Sequence, residues 1–142
     1  MIDGPKLSYN SRSEVGLSLG ITELLIKKLV YSFYALIRED LLLGPIFKNA
    51  INNNWEEHLT RMCDFWSSIA LGTGRYKGKP LLKHINLPEL DKEHFLQWIF
   101  IFEKNAYSVC NKEIADFFVA HSQKIAQSIM RSIILYRNKD YI

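Results

Sequence analysis

Four side chains with chemistry to offer stand at positions that otherwise carry core residues. His84 lies in "KPLLKHINLPEL" (79–90), fenced by Pro80 and Pro88. The fence leaves Leu81 to Leu87, about two helical turns, too short to hold itself as a helix. Such a segment needs an anchor, and a metal bound to the His84 imidazole would provide one. His58 falls on an apolar line with Met62, Phe65 and Ile69, where an imidazole lacking a partner costs roughly 1–3 kcal/mol. Tyr34 and Trp98 sit on the apolar lines of two further segments, and a buried Tyr O–H or Trp N–H usually finds a partner. One imidazole on an iron, with a second imidazole facing the open coordination position inside aromatic walls, is what a haem pocket requires.

Each of these residues also has a plainer reading. His58 and His84 suit core histidines with satisfied ring nitrogens, and Tyr34 and Trp98 suit donors to backbone carbonyls. His121 shares a face with Phe117 and Ile125 and reads best as a core or edge histidine. His94, three residues after Asp91, is expected at the surface in the first turn of a helix. No two histidines have the spacing of a zinc motif. Cys63 and Cys110 belong to no Cys-x-x-Cys or Cys-x-x-Cys-His pattern, which argues against zinc, thioredoxin-like chemistry and covalent c-type haem. A disulfide between them is unforced.

The elements that must position these groups are helices. In "ITELLIKKLVYSFYALIRED" Thr22 is the expected cap, with Ile21 stapled to Ile26. "LLLGPIFKNAI" is broken at Gly44-Pro45 and should form a corner with a short helical turn. "NNNWEEHLTRMCDFWSSIAL" begins at Asn53 or Asn54 and has a second apolar line of Leu59, Cys63, Trp66 and Ala70. Asp91 caps "KEHFLQWIFIFEKNAYSVC", and a last helix runs from near Asn111 to about Tyr136. No strand alternation or internal repeat appears, so the expected class is all-α. Residues 1–20, rich in Gly, Ser, Asn and Pro, are expected to be a flexible extension, and 21–142 a single domain.

Composition bounds the rest. The 142 residues are 48% hydrophobic and 13% aromatic, enough for a full core and for the walls of an apolar pocket. A net charge of +3 with scattered Lys and Arg argues against nucleic acid. No apolar run reaches membrane-spanning length. The start shows no signal peptide, so a cytoplasmic location with reduced thiols is expected. The glycines of "GTGRYKGK" lack P-loop spacing, because Gly72 to Gly78 encloses five residues and Gly74 to Gly78 three. A flexible connection is the expectation there.

Taken together, "FYALIREDLLLGPIF", "WEEHLTRMCDFWSS", "LGTGRYKGKPLLKHINLP" and "HFLQWIFIFEK" resemble the third group of truncated haemoglobins, bacterial globins with a two-over-two helical sandwich. The resemblance spans roughly residues 22–135. The absence of a Gly-Gly pair agrees with the third group rather than the first two. What it implies is specific. His84 would be the proximal ligand of a non-covalent haem b, and Phe47 would pack on the haem face. Tyr34, His58 and Trp98 would form the distal polar set. Met62, Phe65 and Trp66 would wall the cofactor, and Arg61, Tyr76 and Lys83 would reach its propionates. Diatomic gases (O2, NO, CO) are the implied ligands. A polar pocket suits redox chemistry on O2, NO or peroxide, with His58 a candidate proton shuttle. Peroxidase-like or NO-detoxifying activity would draw on a separate reductase. A carrier of oxygen, or a gas sensor without turnover, is the alternative, and a monomer is expected.

Overall fold

A computed structural model describes residues 14–78 and 90–139, with side chains to 135. Every regular element among the described residues is a helix: α1 (14–19), α2 (Glu23–Glu39), α3 (Gly44–Ile51), α4 (Trp55–Leu71), α5 (Lys92–Val109) and α6 (Lys112–Lys139). The fold is all-α, as expected. Of the expected N-terminal extension, residues 1–13 lie outside the described residues. The short Pro80–Pro88 segment, with Lys83 and His84, lies outside them too.

Helix α2 is the hub. It packs on α5, α4 and α3, and α5 packs in turn on α6. The α2/α4 and α5/α6 pairs make the two layers of a two-over-two sandwich. Helix α2 can fill that place because Ile26, Leu29, Val30, Phe33, Tyr34 and Ile37 cover the side it buries, at the i, i+3, i+4, i+7 spacing of an amphipathic helix. Its start is fixed by Thr22, whose hydroxyl accepts from the Leu25 amide at 3.1 Å. Its end is turned by Asp40, whose carboxylate accepts from the Leu42 and Leu43 amides at 3.1 and 2.9 Å. Gly44-Pro45 therefore opens a helix of two turns rather than only breaking one, since proline lacks just the N–H that a first turn leaves over.

A second device ties the layers. Buried Asn105 of α5 donates from Nδ2 to the Leu29 carbonyl of α2 at 3.1 Å. Between the layers lies an aromatic stack. Phe102 lies nearly parallel to both Trp66, at 5.3 Å, and Trp98, at 5.4 Å, and meets Phe33 edge-on at 5.1 Å. Helix α1 joins this body closely. A side chain at Gly16 of α1 would run into the Ala70 carbonyl of α4. Cys63 and Cys110 are free and half-buried, and burial pushes both thiols up. No helix among the described residues is long and apolar enough to cross a membrane.

Candidate functional site

One cavity of about 200 Å³ opens between α2, α3, α4, α5 and α6. Tyr34, Phe47, His58, Arg61, Met62, Phe65, Trp66, Tyr76 and Trp98 all line it. Nine residues singled out from the sequence, on five separate stretches of chain, thus meet around one space. The tenth and eleventh, Lys83 and His84, lie outside the described residues.

Polar groups gather at one end. The Tyr34 ring meets the His58 ring edge-on, centroids 4.8 Å apart, and lies 6.0 Å from Phe47. Phe33 braces both Tyr34, at 4.9 Å, and Trp98, at 5.2 Å. His58 sits in the first turn of α4, with its Nε2 buried. Burial first, and the nearby Tyr76 second, push the Tyr34 phenol far above its usual range. The phenol is therefore a neutral O–H donor at any physiological pH.

That shift has a measurable consequence. Above the ordinary tyrosine range near pH 10, the unfolded chain loses the Tyr34 proton while the folded chain keeps it. Stability must then fall as pH rises, by about 1.4 kcal/mol per pH unit from this one group. In Tyr34→Phe that contribution vanishes, so urea midpoints taken at pH 8 and pH 11 should differ less than in the parent. Equal differences would mean that Tyr34 ionises alike in both states.

The remaining polar groups stand apart. Arg61 is half-exposed and pairs with Glu57 one turn back, at 3.1 Å. Tyr76 packs edge-on against Phe65 at 5.1 Å, and burial pushes its phenol up while Arg61 draws it down. What holds Tyr76 there is the loop after α4, which is not the loose connection expected. Gly72 ends α4 in the left-handed conformation (φ 67°) that glycine adopts at no steric cost. Ser68 Oγ then accepts from the Tyr76 amide at 3.0 Å, and Ser67 bonds Thr73 at 2.8 Å. Arg75 reaches Glu23 of α2, Ser67 Oγ at 3.1 Å and Asp64 at 3.6 Å. Short polar side chains in the last turn of α4 thus convert a glycine-rich stretch into a fixed wall.

Two residues escape the sequence reading. Trp55 packs edge-on against Tyr34 at 6.2 Å and His58 at 6.0 Å, and the Arg38 guanidinium covers it at 4.5 Å. Its place one turn before His58 was the available signal. His94, expected at the surface, is 8% exposed and lines the cavity. Standing four residues before Trp98, it shares that residue's inward face, and this spacing outweighs its place in a first turn. His121 behaves as the plainer reading expects: its Nδ1 lies 3.0 Å from the Phe117 carbonyl and its ring packs on Phe117 at 4.4 Å.

No protein-family model matches the chain. Individual relatives do. The chain is 38% identical over 114 residues, 78% of its length and 90% of the relative's, to the group 3 truncated hemoglobin ctb of Campylobacter jejuni. Among solved structures it is similar to a crystal structure of group III truncated hemoglobin from Campylobacter jejuni, with a TM-score of 0.76 and 37% identity. That superposition covers 80% of this chain and 91% of the other. Identity at this level over most of both chains, on the same helical sandwich, places the chain in a family: it belongs to the group III truncated haemoglobins.

Proposed function

We propose that this chain binds haem b in the cavity through His84, holds O2, NO or CO at the polar end, and serves redox chemistry on O2, NO or peroxide rather than oxygen storage. The observation that carries the reading is the convergence of Tyr34, His58 and Trp98 on one cavity whose other walls are largely apolar. The donor set fits a flat macrocycle. Phe47, Met62, Phe65 and Trp66 offer apolar and aromatic surface, while Arg61 and Tyr76 are polar members of the same wall that would pair with the charged side groups. Lys83 is a third such partner by resemblance. Haem iron supplies reversible diatomic binding and one-electron chemistry.

The chain's own part is to exclude water and to donate hydrogen bonds. The neutral Tyr34 O–H and the Trp98 N–H face the ligand position. Two donors acting on a partly anionic ligand slow its release by very roughly 10²–10⁴-fold if their energies add. Such retention suits conversion of the ligand better than its delivery. His58, edge-on to Tyr34 on the same cavity, would be the group that hands a proton to an oxidant. Electrons would come from a separate reductase.

Absorption spectra of the purified, haem-supplemented protein, oxidised and then reduced, test this beside His84→Ala. A strong Soret band that is lost or shifted in the variant is the expected result. Absence of haem uptake by the parent protein would remove the reading altogether. Turnover with NO or peroxide and an electron donor is expected as well. Ligand binding with no turnover would make the protein a carrier or sensor instead.

A further inference from the structure

Tyr34 and His58 line the cavity and Trp55 does not, yet Trp55 touches both of them. Its ring stands edge-on to His58 at 6.0 Å and to Tyr34 at 6.2 Å, and those two meet each other at 4.8 Å. The three rings close a triangle. Two helical spacings make it. On α2, Arg38 stands one turn after Tyr34, and on α4, Trp55 stands one turn before His58. Because α2 packs against α4, each pair meets the other, and the Arg38 guanidinium covers the Trp55 ring at 4.5 Å. No carboxylate among the described residues pairs with Arg38, so the indole face is its partner.

Local backbone chemistry does little to fix the end of α4 that carries His58. Asn54 makes no side-chain cap hydrogen bond. Asn52, two residues earlier, holds a positive φ of 56°, which is costly for a residue with a side chain. Of Trp55, Glu56, Glu57 and His58 in the first turn, the two glutamates are exposed and only Trp55 and His58 are partly buried. A first turn without a cap depends on tertiary contacts to stay in place. Here those contacts run through the indole.

We propose that Trp55 is a positioning residue: clamped by Arg38, it fixes the orientation of the His58 and Tyr34 rings and so sets their hydrogen bonding toward the bound ligand. The part that concerns the ligand rests on the haem reading above. Without the indole, the first turn of α4 loosens and His58 is free to turn away from the cavity, where its Nε2 is now buried.

Modification of histidines by diethyl pyrocarbonate, followed peptide by peptide by mass spectrometry, reads the freedom of His58. His121 on α6 is the internal control. In Trp55→Leu, His58 should react about tenfold faster than in the parent, in the haem-free and the haem-loaded protein alike, while His121 keeps its rate. Trp55→Phe, which keeps a ring for all three contacts, should recover most of the parent's protection. Arg38→Gln should accelerate His58 about two- to fivefold and add nothing in the Trp55→Leu background, because its effect passes through the indole. The infrared C–O stretch of the carbon monoxide adduct reads the effect on the ligand. One dominant band in the parent should give way to several in Trp55→Leu, with weight moved to higher frequency as the donors leave the ligand. A parent-like His58 rate in Trp55→Leu, equal acceleration of His121, additive effects of the two substitutions, or an unmoved C–O band would each overturn the proposal while leaving haem binding intact. Failure of the parent protein to take up haem would instead overturn the haem reading, and the rates in the haem-free protein would still decide whether Trp55 positions His58.

Discussion

Tyr34→Phe is expected to release O2 about ten- to a hundredfold faster than the parent protein, with CO release changed by no more than about threefold. The asymmetry follows from charge. With haem bound, O2 as the ligand would carry more negative charge than CO, so it would gain more from the Tyr34 O–H donor. Hydrogen bonds to charged groups contribute roughly 1.5–3 kcal/mol, and loss of one falls mainly on the off-rate. Tyr34 would exert this effect as a neutral donor, since burial holds its phenol protonated at physiological pH. Phe33, Phe47, Trp55 and His58 surround the ring, so the variant should keep its shape and lose only the hydroxyl. Stopped-flow displacement of each gas decides the matter. Equal acceleration of both would mean that Tyr34 acts through pocket shape and not as a donor.

The second large effect concerns the scaffold. Phe102→Ala should destabilise the fold by about 3–5 kcal/mol, as deletion of a buried aromatic generally does. Phe102 is 1% exposed and lies against Trp66, Trp98 and Phe33. Its removal takes a ring from between two indoles that helices α4 and α5 hold rigidly, so the gap cannot readily close. A domain of this size has only about 5–15 kcal/mol in hand, which makes the loss a large share. Urea unfolding followed by circular dichroism measures it, with an unchanged slope marking a true stability loss. A cost below about 1 kcal/mol would show that the neighbouring rings collapse into the space. Because Trp98 lines the cavity and rests on Phe102, the variant should also blunt ligand retention, whereas Phe102→Leu should preserve more of both.

How much of this was legible beforehand differs from element to element. The helices were. Thr22, Asn111 and the apolar lines of α2 and α5 act within a few residues of themselves, and the Asn111 side chain does accept from the Ile114 amide at 2.9 Å. That Tyr34, His58 and Trp98 each need a partner was legible as well, because polar aromatic residues on buried helical lines are costly unless something answers them. The order of motifs along the chain then supplied a resemblance that composition never could.

What escaped is what depends on who stands opposite. Asp91 and His94 announce a helix start, and a first turn usually faces water. Only the packing of α5 against α6 and the cavity turns that particular first turn inward. The glycines after α4 spell freedom, yet Ser67, Ser68 and Arg75 remove it through bonds that cross from loop to helix. Trp55 carries no mark of its partnership with Arg38 until α2 ends beside the start of α4. By itself the sequence determined the all-α class, the main helices and the residues costly enough to need a purpose. The tertiary structure alone decided which of them share a space. Periodicity and capping are local and can be read along the chain, whereas contacts between residues dozens of positions apart exist only once the helices have packed.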